Sequence, residues 1–240
     1  MARNMSDFYK NPRLEMTKGG KRRWVDPPKP IAKKRLGRLH DFIQEEISFH
    51  PEAHGGVRGQ SCFTNAKKHL GKAYVVTRDV ARCYPSVPFH GLRRSLKRFG
   101  FRSDTAHILS LLFTRDGRLP QGAPTSSDAL NIYLYSVDRS ISAACGAFRG
   151  KYGRVYDDLV ISVRAASQAR AAGRLMESKI EEAGLTINKR KRADKGVQPC
   201  HEVQKVHNIV VNSPGGTKIP QEQADRFRGW AESYVRGARC

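Results

Sequence analysis

Between residues 73 and 188 the chain reads as strand, helix, strand, strand, helix, strand, and this order limits the folds open to it more than any other feature. "AYVVTRDV" (73–80), rich in β-branched residues, predicts a buried strand ending at Asp79. Helical segments are predicted over 89–98 and 103–113. A long amphipathic helix follows over 126–144, with Leu130, Tyr133, Leu134, Val137 and Ile141 on one face and Ser126 or Ser127 as its cap. "GRVYDDLVIS" (153–162) predicts a β-hairpin with Asp157 and Asp158 at its turn. A second amphipathic helix over 167–183 ends at Gly184, and "LTIN" (185–188) is a short strand. The expected class is α+β, with a ferredoxin-like split βαβ and an antiparallel sheet. In such a sheet the first three strands are neighbours, so Asp79, Asp157 and Asp158 converge on one edge.

The flanks are less regular. Residues 1–35 are polar, basic and Pro-rich and predict an extended arm or a short hairpin, followed by a helix over 36–49. The Gly-rich "HGGVRGQS" (54–61) leads into a helix-like "CFTNAKKHLG" (62–71), and "RDGRLPQGAP" (115–124) is turn-rich. "VQKVHNIVVN" (203–212) and "TKIP" (217–220) are expected to pair across "SPGG", and a final helix is expected over 221–235.

Adjacent aspartates repel, and strand interiors disfavour them. The chain has 44 Lys and Arg against 22 Asp and Glu, a net charge of +22 that attracts polyanions, nucleic acid above all. Three acids gathered in such a field suit Mg²⁺ held beside a polyphosphate. Two such ions can clamp the attacking and leaving oxygens of an in-line displacement. The plainer reading of the acidic pair is a solvated hairpin turn. Cysteines stand at 62, 83, 145, 200 and 240, with no C-x-x-C pair, which fits a reducing compartment. The first residues lack the apolar core of a signal peptide, and no apolar run approaches the roughly 20 residues that span a bilayer. A soluble intracellular protein with no membrane partner is expected.

Six stretches occur in a telling order: "AHGGVRGQSCFTNAKKH" (53–69), "TRDVARCYPSV" (77–87), "LPQGAPTSSDALN" (119–131), "RVYDDLVIS" (154–162), "AGLTINKRK" (183–191) and "VHNIVVN…KIP" (206–220). From about residue 20 to 225 the chain resembles reverse transcriptases, and among them the bacterial retron type, to which the N-A-x-x-H of Asn65 and His69 belongs. The resemblance implies fingers over 1–72, a palm over 73–200 with 113–125 returning to the nucleotide pocket, a primer-grip hairpin over 201–220, and a reduced thumb over 221–240. It makes Asp79 and Asp157 the paired metal ligands, with the Val80 carbonyl as an extra oxygen and Asp158 as the third carboxylate. Mg²⁺ is the implied ion, two per site, with Mn²⁺ as a substitute.

The resemblance also assigns Tyr84 as the steric gate against a 2′-hydroxyl, or as ordinary core packing. Gln121 and Gly122 contact the incoming nucleotide and template, and Arg22 or Arg23 holds the triphosphate. Lys191 approaches the β/γ-phosphates, or joins a phosphate-facing basic patch. Asn131 is a matching residue or a bridge within the core. Asn65, His69, Arg58 and Tyr156 are the nucleic-acid contacts, although a structural hydrogen bond is the commoner role for the first two. The implied partners are an RNA template, a DNA or RNA primer, dNTPs and a structured non-coding RNA, with an effector protein unknown. The implied setting is the bacterial cytoplasm, in a retron or anti-phage system.

Three departures stand out. Val155 and Tyr156 occupy, as though swapped, places where the pattern has an aromatic and then a small residue, so that strand alternation would aim Tyr156 at the primer terminus. Val206-His207-Asn208 stands where the retron pattern has V-T-G, and the chain ends at Cys240 with only one helix for a thumb. RNA-directed DNA polymerase is the expected function. The alternatives are a non-catalytic RNA-binding protein on the same scaffold and template-independent DNA synthesis.

Overall fold

The structure, a computed structural model, describes residues 5–16, 22–189, 196–218 and 224–225. The N-terminal arm divides in two. After a short 3-10 turn (Met5–Phe8), β1 (Arg13–Met16) and β2 (Arg22–Val25) form an antiparallel hairpin with Leu14 opposite Trp24. The last residues of the predicted arm are already helical: α1 spans Pro30–Glu46. Pro30 explains the early start, because a proline in the first turn forfeits no hydrogen bond and its fixed φ is helical. Next, α2 (Cys62–Lys67) opens on a capping box. The Ser61 hydroxyl accepts the Thr64 N–H, and the Ser61 N–H donates to the Thr64 hydroxyl.

The central sheet contains β3 (Tyr74–Asp79), β4 (Lys151–Val155), β5 (Asp158–Val163) and β6 (Val197–Pro199) in the order β4-β5-β3-β6, each pair antiparallel. This is the predicted split βαβ sheet, with one correction. "LTIN" supplies only a single bridge, Ile187 to Val80, and the fourth strand is β6. Ile187 faces Val80 while Val197 faces Val76, so ten residues pass on one side for four on the other.

One face of the sheet is covered by α6 (Ser126–Ala147) and α7 (Ala166–Glu182). Behind them lie α4 (Phe89–Arg98) and α5 (Ser103–Phe113), and a short α3 (Cys83–Ser86) follows β3. The other face carries α2 and a small sheet of β7 (Lys205–Val206), β8 (Ile209–Ser213) and β9 (Gly216–Lys218). Alternation splits the strand residues between two cores. Val76, Leu159, Ile161 and Val163 join the helices, whereas Val75 and Val160 meet Ala66, Val206, Ile209 and Val211. Asp79 and Asp158 share the parity of Val75 and Val160 and therefore lie on the second face.

"VQKVHNIVVN", expected as one strand, doubles back at His207–Asn208, both at positive φ (50° and 65°). A two-residue loop of that kind is a type I′ hairpin turn, which outcompetes strand continuation when Asn is available for it. The predicted C-terminal helix falls outside the described residues apart from 224–225. No helix among the described residues is long and apolar enough to cross a membrane.

The packing of α2 on β4 depends on Gly153, where an added Cβ would overlap the Asn65 Oδ1. Gly153→Ala is expected to push α2 off the sheet and to lower stability by about 1–3 kcal/mol, the usual cost of overpacking. A urea midpoint equal to that of the unsubstituted chain would show that the contact yields freely.

Candidate active site

Three acids meet where β3 and β5 end. Asp79 closes β3 directly opposite Asp158, the first residue of β5. Asp157 is the second residue of the two-residue loop between β4 and β5, and its carbonyl accepts the Val80 N–H at 2.9 Å. Directly opposed residues of an antiparallel pair hold their Cβ atoms about 4.5–5.5 Å apart, and like charges there oppose pairing. Asp79 is buried, and Asn188 braces it: the Asn188 Nδ2 donates to the Asp79 Oδ1 at 3.1 Å, and the Asn188 N–H donates to the Asp79 carbonyl at 2.7 Å. The shortened "LTIN" segment thus serves to prop a carboxylate.

Among the described residues, no three His, Cys, Asp or Glu side chains form a cage able to hold a metal alone. Mg²⁺ does not require one, since it binds through one or two carboxylates and completes its shell with water and substrate phosphate. The paired acids with Val80 between Asp79 and the turn fit an ion of that kind.

The turn itself is strained and firmly held. Tyr156 has φ +54°. That conformation costs a tyrosine roughly 1–2 kcal/mol. Arg154, wholly buried, supplies the restraint. Its Nε and Nη2 donate to Asp138 of α6 at 2.8 and 2.7 Å, its Nη1 donates to the Tyr156 carbonyl at 2.8 Å, and its Nη2 also donates to the Asn131 Oδ1 at 3.0 Å. The Tyr152 hydroxyl donates to Asp138 at 2.7 Å. Asn131 continues outward, its Nδ2 donating to the Gly55 carbonyl at 2.9 Å. Gly55 lies so close on the turn that a Cβ there would overlap the Tyr156 backbone nitrogen. Gln44 of α1 fixes the same loop through the Gly56 carbonyl and the Arg58 N–H, each at 2.9 Å. His54, at the start of this loop, is buried, its Nδ1 2.7 Å from the Thr64 hydroxyl.

Arg154 and Asp138 are absent from the sequence-based candidates, yet one signal was available. Asp138 stands four residues after Leu134 and three before Ile141, on the apolar stripe of α6. A carboxylate there demands a buried partner.

Other expected residues fall as follows. Tyr84 on α3 packs against the main core, and burial pushes its hydroxyl pKa up, with further upward pressure from Cys83 and Asp157. Gln121 and Gly122 dock on the end of β2. The Asp26 N–H donates to the Gln121 carbonyl at 2.7 Å, the Gln121 N–H returns to the Asp26 carboxylate at 3.2 Å, and Gly122 faces Val25. Arg115 pairs with Asp26 at 3.0 Å. The β1–β2 hairpin, with Arg22 and Arg23 both exposed, is thereby tied to the 120–122 loop. Arg58 is exposed and lies 3.5 Å from Glu45. Lys191 lies outside the described residues.

Two expectations are corrected. Tyr156 is a loop residue, so strand alternation does not govern it; its ring lies against Gly55 and Gly56, 39% exposed. Asn65 and His69 are each 0% exposed and bonded within the protein, so neither offers surface to RNA; α2 turns that face onto the sheet.

Residues 18–201 match a family model described as reverse transcriptase (RNA-dependent DNA polymerase). Two curated proteins of Myxococcus xanthus are similar. The Retron Mx162 reverse transcriptase is 29% identical over 252 residues, covering 91% of this chain and 51% of that protein, and the Retron Mx65 reverse transcriptase is 28% identical over 235, covering 89% and 53%. The chain spans about half the length of the curated relatives it matches. Among solved structures, apo telomerase from Candida tropicalis, truncated from its C-terminal domain, superposes with a TM-score of 0.57 at 10% identity over 92% of this chain and 56% of that one, which shows a shared fold.

Proposed function

This chain belongs to the reverse transcriptase family, and on that premise we propose that it is an RNA-directed DNA polymerase of retron type, adding dNTPs to a DNA or RNA primer along an RNA template. The observation that carries the reading is Asp79 set opposite Asp158 beside Asp157, in a chain of net charge +22. Carboxylates forced together at a strained, restrained turn point to a cation and its polyphosphate.

The family works with divalent metal ions. We assign Mg²⁺, two ions, with Mn²⁺ as a substitute, to Asp79 and Asp157 with the Val80 carbonyl, and leave Asp158 as the third charge. Bound there, the metal supplies Lewis-acid stabilisation of the attacking and leaving oxygens. The protein's own groups do the rest. Arg22 or Arg23 on the docked hairpin receives the triphosphate, since a guanidinium fork matches phosphate oxygens. Gln121 and Gly122 line the nucleotide pocket, Lys191 gives a proton to the departing pyrophosphate, and Arg58 and Tyr156 meet the nucleic acid. Residues 1–72 then act as fingers, 73–200 as palm, and 201–220 as the hairpin that grips the primer. A structured non-coding RNA in the bacterial cytoplasm is the proposed natural template.

Extension of a primed RNA in Mg²⁺, with the template strand present and then withheld, tests the reading. Template-dependent incorporation supports it. Incorporation without template indicates untemplated synthesis, and none under either condition leaves an RNA-binding scaffold.

Tyr84 gives a finer test. Tyr84→Val is expected to raise (kcat/KM) for NTP relative to dNTP at least about tenfold, equivalent to about 1.4 kcal/mol of lost discrimination. The ratio is independent of how much enzyme is folded, and an unchanged ratio would return Tyr84 to the core alone.

A further inference from the structure

Asp158 faces a residue that the proposed chemistry does not use. His207, first in the β7–β8 turn, holds its Nδ1 3.7 Å from the Asp158 Oδ2, with its side chain 6% exposed. It is the residue that replaces the Thr of the V-T-G pattern.

His207 ends a chain of polar contacts. The Asn65 Nδ2 lies 2.7 Å from the His207 Nε2, the Asn65 Oδ1 3.3 Å from the His69 Nε2, and the His69 Nδ1 2.8 Å from the Ser162 Oγ. Asn65, His69 and Ser162 are each 0% exposed, so no water competes for these bonds. Donors and acceptors must therefore match within the chain. An amide nitrogen only donates, so the His207 Nε2 bears a lone pair and its proton sits on Nδ1, toward Asp158. An amide oxygen only accepts, so the His69 Nε2 bears the proton and its Nδ1 accepts from the Ser162 hydroxyl. Burial, with Lys68 next in effect, holds the His69 pKa down to about 3, which leaves one donor and one acceptor on that ring. With the amide reversed, every bond would reverse and a His207 lone pair would face the Asp158 carboxylate.

The hydrogen bonds thus run in one direction from Ser162 to His207, whose Nδ1 stands 3.7 Å from Asp158, a residue on the same face of β5 as Ser162. Backbone geometry agrees, because His207 is kept at φ +50°, where Gly or Asn sits with less strain.

We infer that His207 is a positioning residue, donating from Nδ1 toward Asp158 and so coupling the β7–β8 turn to the acidic edge. Its consequence for synthesis rests on the polymerase reading; its geometry does not.

Long-range ¹H–¹⁵N correlation of the imidazoles in the full ¹⁵N-labelled chain tests this proton placement directly. The expected result is opposite tautomers, Nδ1–H for His207 and Nε2–H for His69. An Nε2–H tautomer at His207 overturns the inference, whatever the enzyme does. His207→Gly suits the positive φ and preserves the turn. It is expected to weaken Mn²⁺ binding, followed by electron paramagnetic resonance, about tenfold. The Mg²⁺ half-saturation of primer extension should rise by a similar factor, and His207→Gln, which restores an N–H donor, should recover part of both. Mn²⁺ affinity within about twofold of the parent chain refutes the coupling. If the parent chain makes no DNA, the polymerase reading falls, while the tautomers and the Mn²⁺ titration still decide this one.

Discussion

Asparagine at position 157 is expected to cut templated incorporation at least about a thousandfold, a loss of roughly 4 kcal/mol in transition-state stabilisation. The change removes one negative charge and keeps the shape. The Asp157 carbonyl, which accepts the Val80 N–H, is untouched by the change. Relief of like charge beside Asp158 offsets part of any structural loss, so the variant is expected to fold. Primer extension and thermal unfolding on one preparation provide the check. A folded Asp157→Asn variant within tenfold of the parent rate would remove this carboxylate from the chemistry and, with it, the proposed metal site. Asp79→Asn should lose as much activity, with an added structural cost because Asn188 is bonded to that carboxylate.

The second large effect concerns stability. Arg154→Ala strands Asp138, itself 0% exposed, without its cation. Breaking a buried pair from one side costs about 3–5 kcal/mol. That is a large share of the roughly 5–15 kcal/mol that keeps a domain folded. The cost belongs to the uncompensated charge and not to the position. The double variant Arg154→Met with Asp138→Leu should therefore recover most of the stability, as apolar replacements of buried pairs commonly do. On the proposed chemistry it should not recover activity, because the Tyr156 carbonyl and Asn131 still lack the guanidinium that fixes the turn carrying Asp157. Denaturant melts beside kcat separate the two roles. A double variant that regained both would show that the pair only fills space.

The three neighbouring strands, the helix from Ser126 and the acids at the β4–β5 turn were legible in the sequence. Each is written in spacing along the chain: alternation for strands, a 3.6-residue stripe for helices. Such signals are local, and they survive without knowledge of what packs where. The early start of α1 at Pro30 is a local signal of the same kind, masked by surrounding prolines that favour extended chain.

What sequence spacing could not settle were the pairings between distant segments. Asp138 on the apolar stripe announced that it needed a cation but not which one, and only the seating of α6 on β4 selected Arg154. Asn65 and His69 share a helix face under either reading, and the close approach of α2 at Gly153 turned that face inward. Tyr156 escaped the alternation rule because two loop residues erase strand parity. His207 reached Asp158 only because the β7–β8 sheet covers that side of β5. Periodicity determined the elements and placed the three acids at strand ends. The closeness of side chains far apart in sequence, fixed when two layers close on one sheet, decided which groups hold those acids in place.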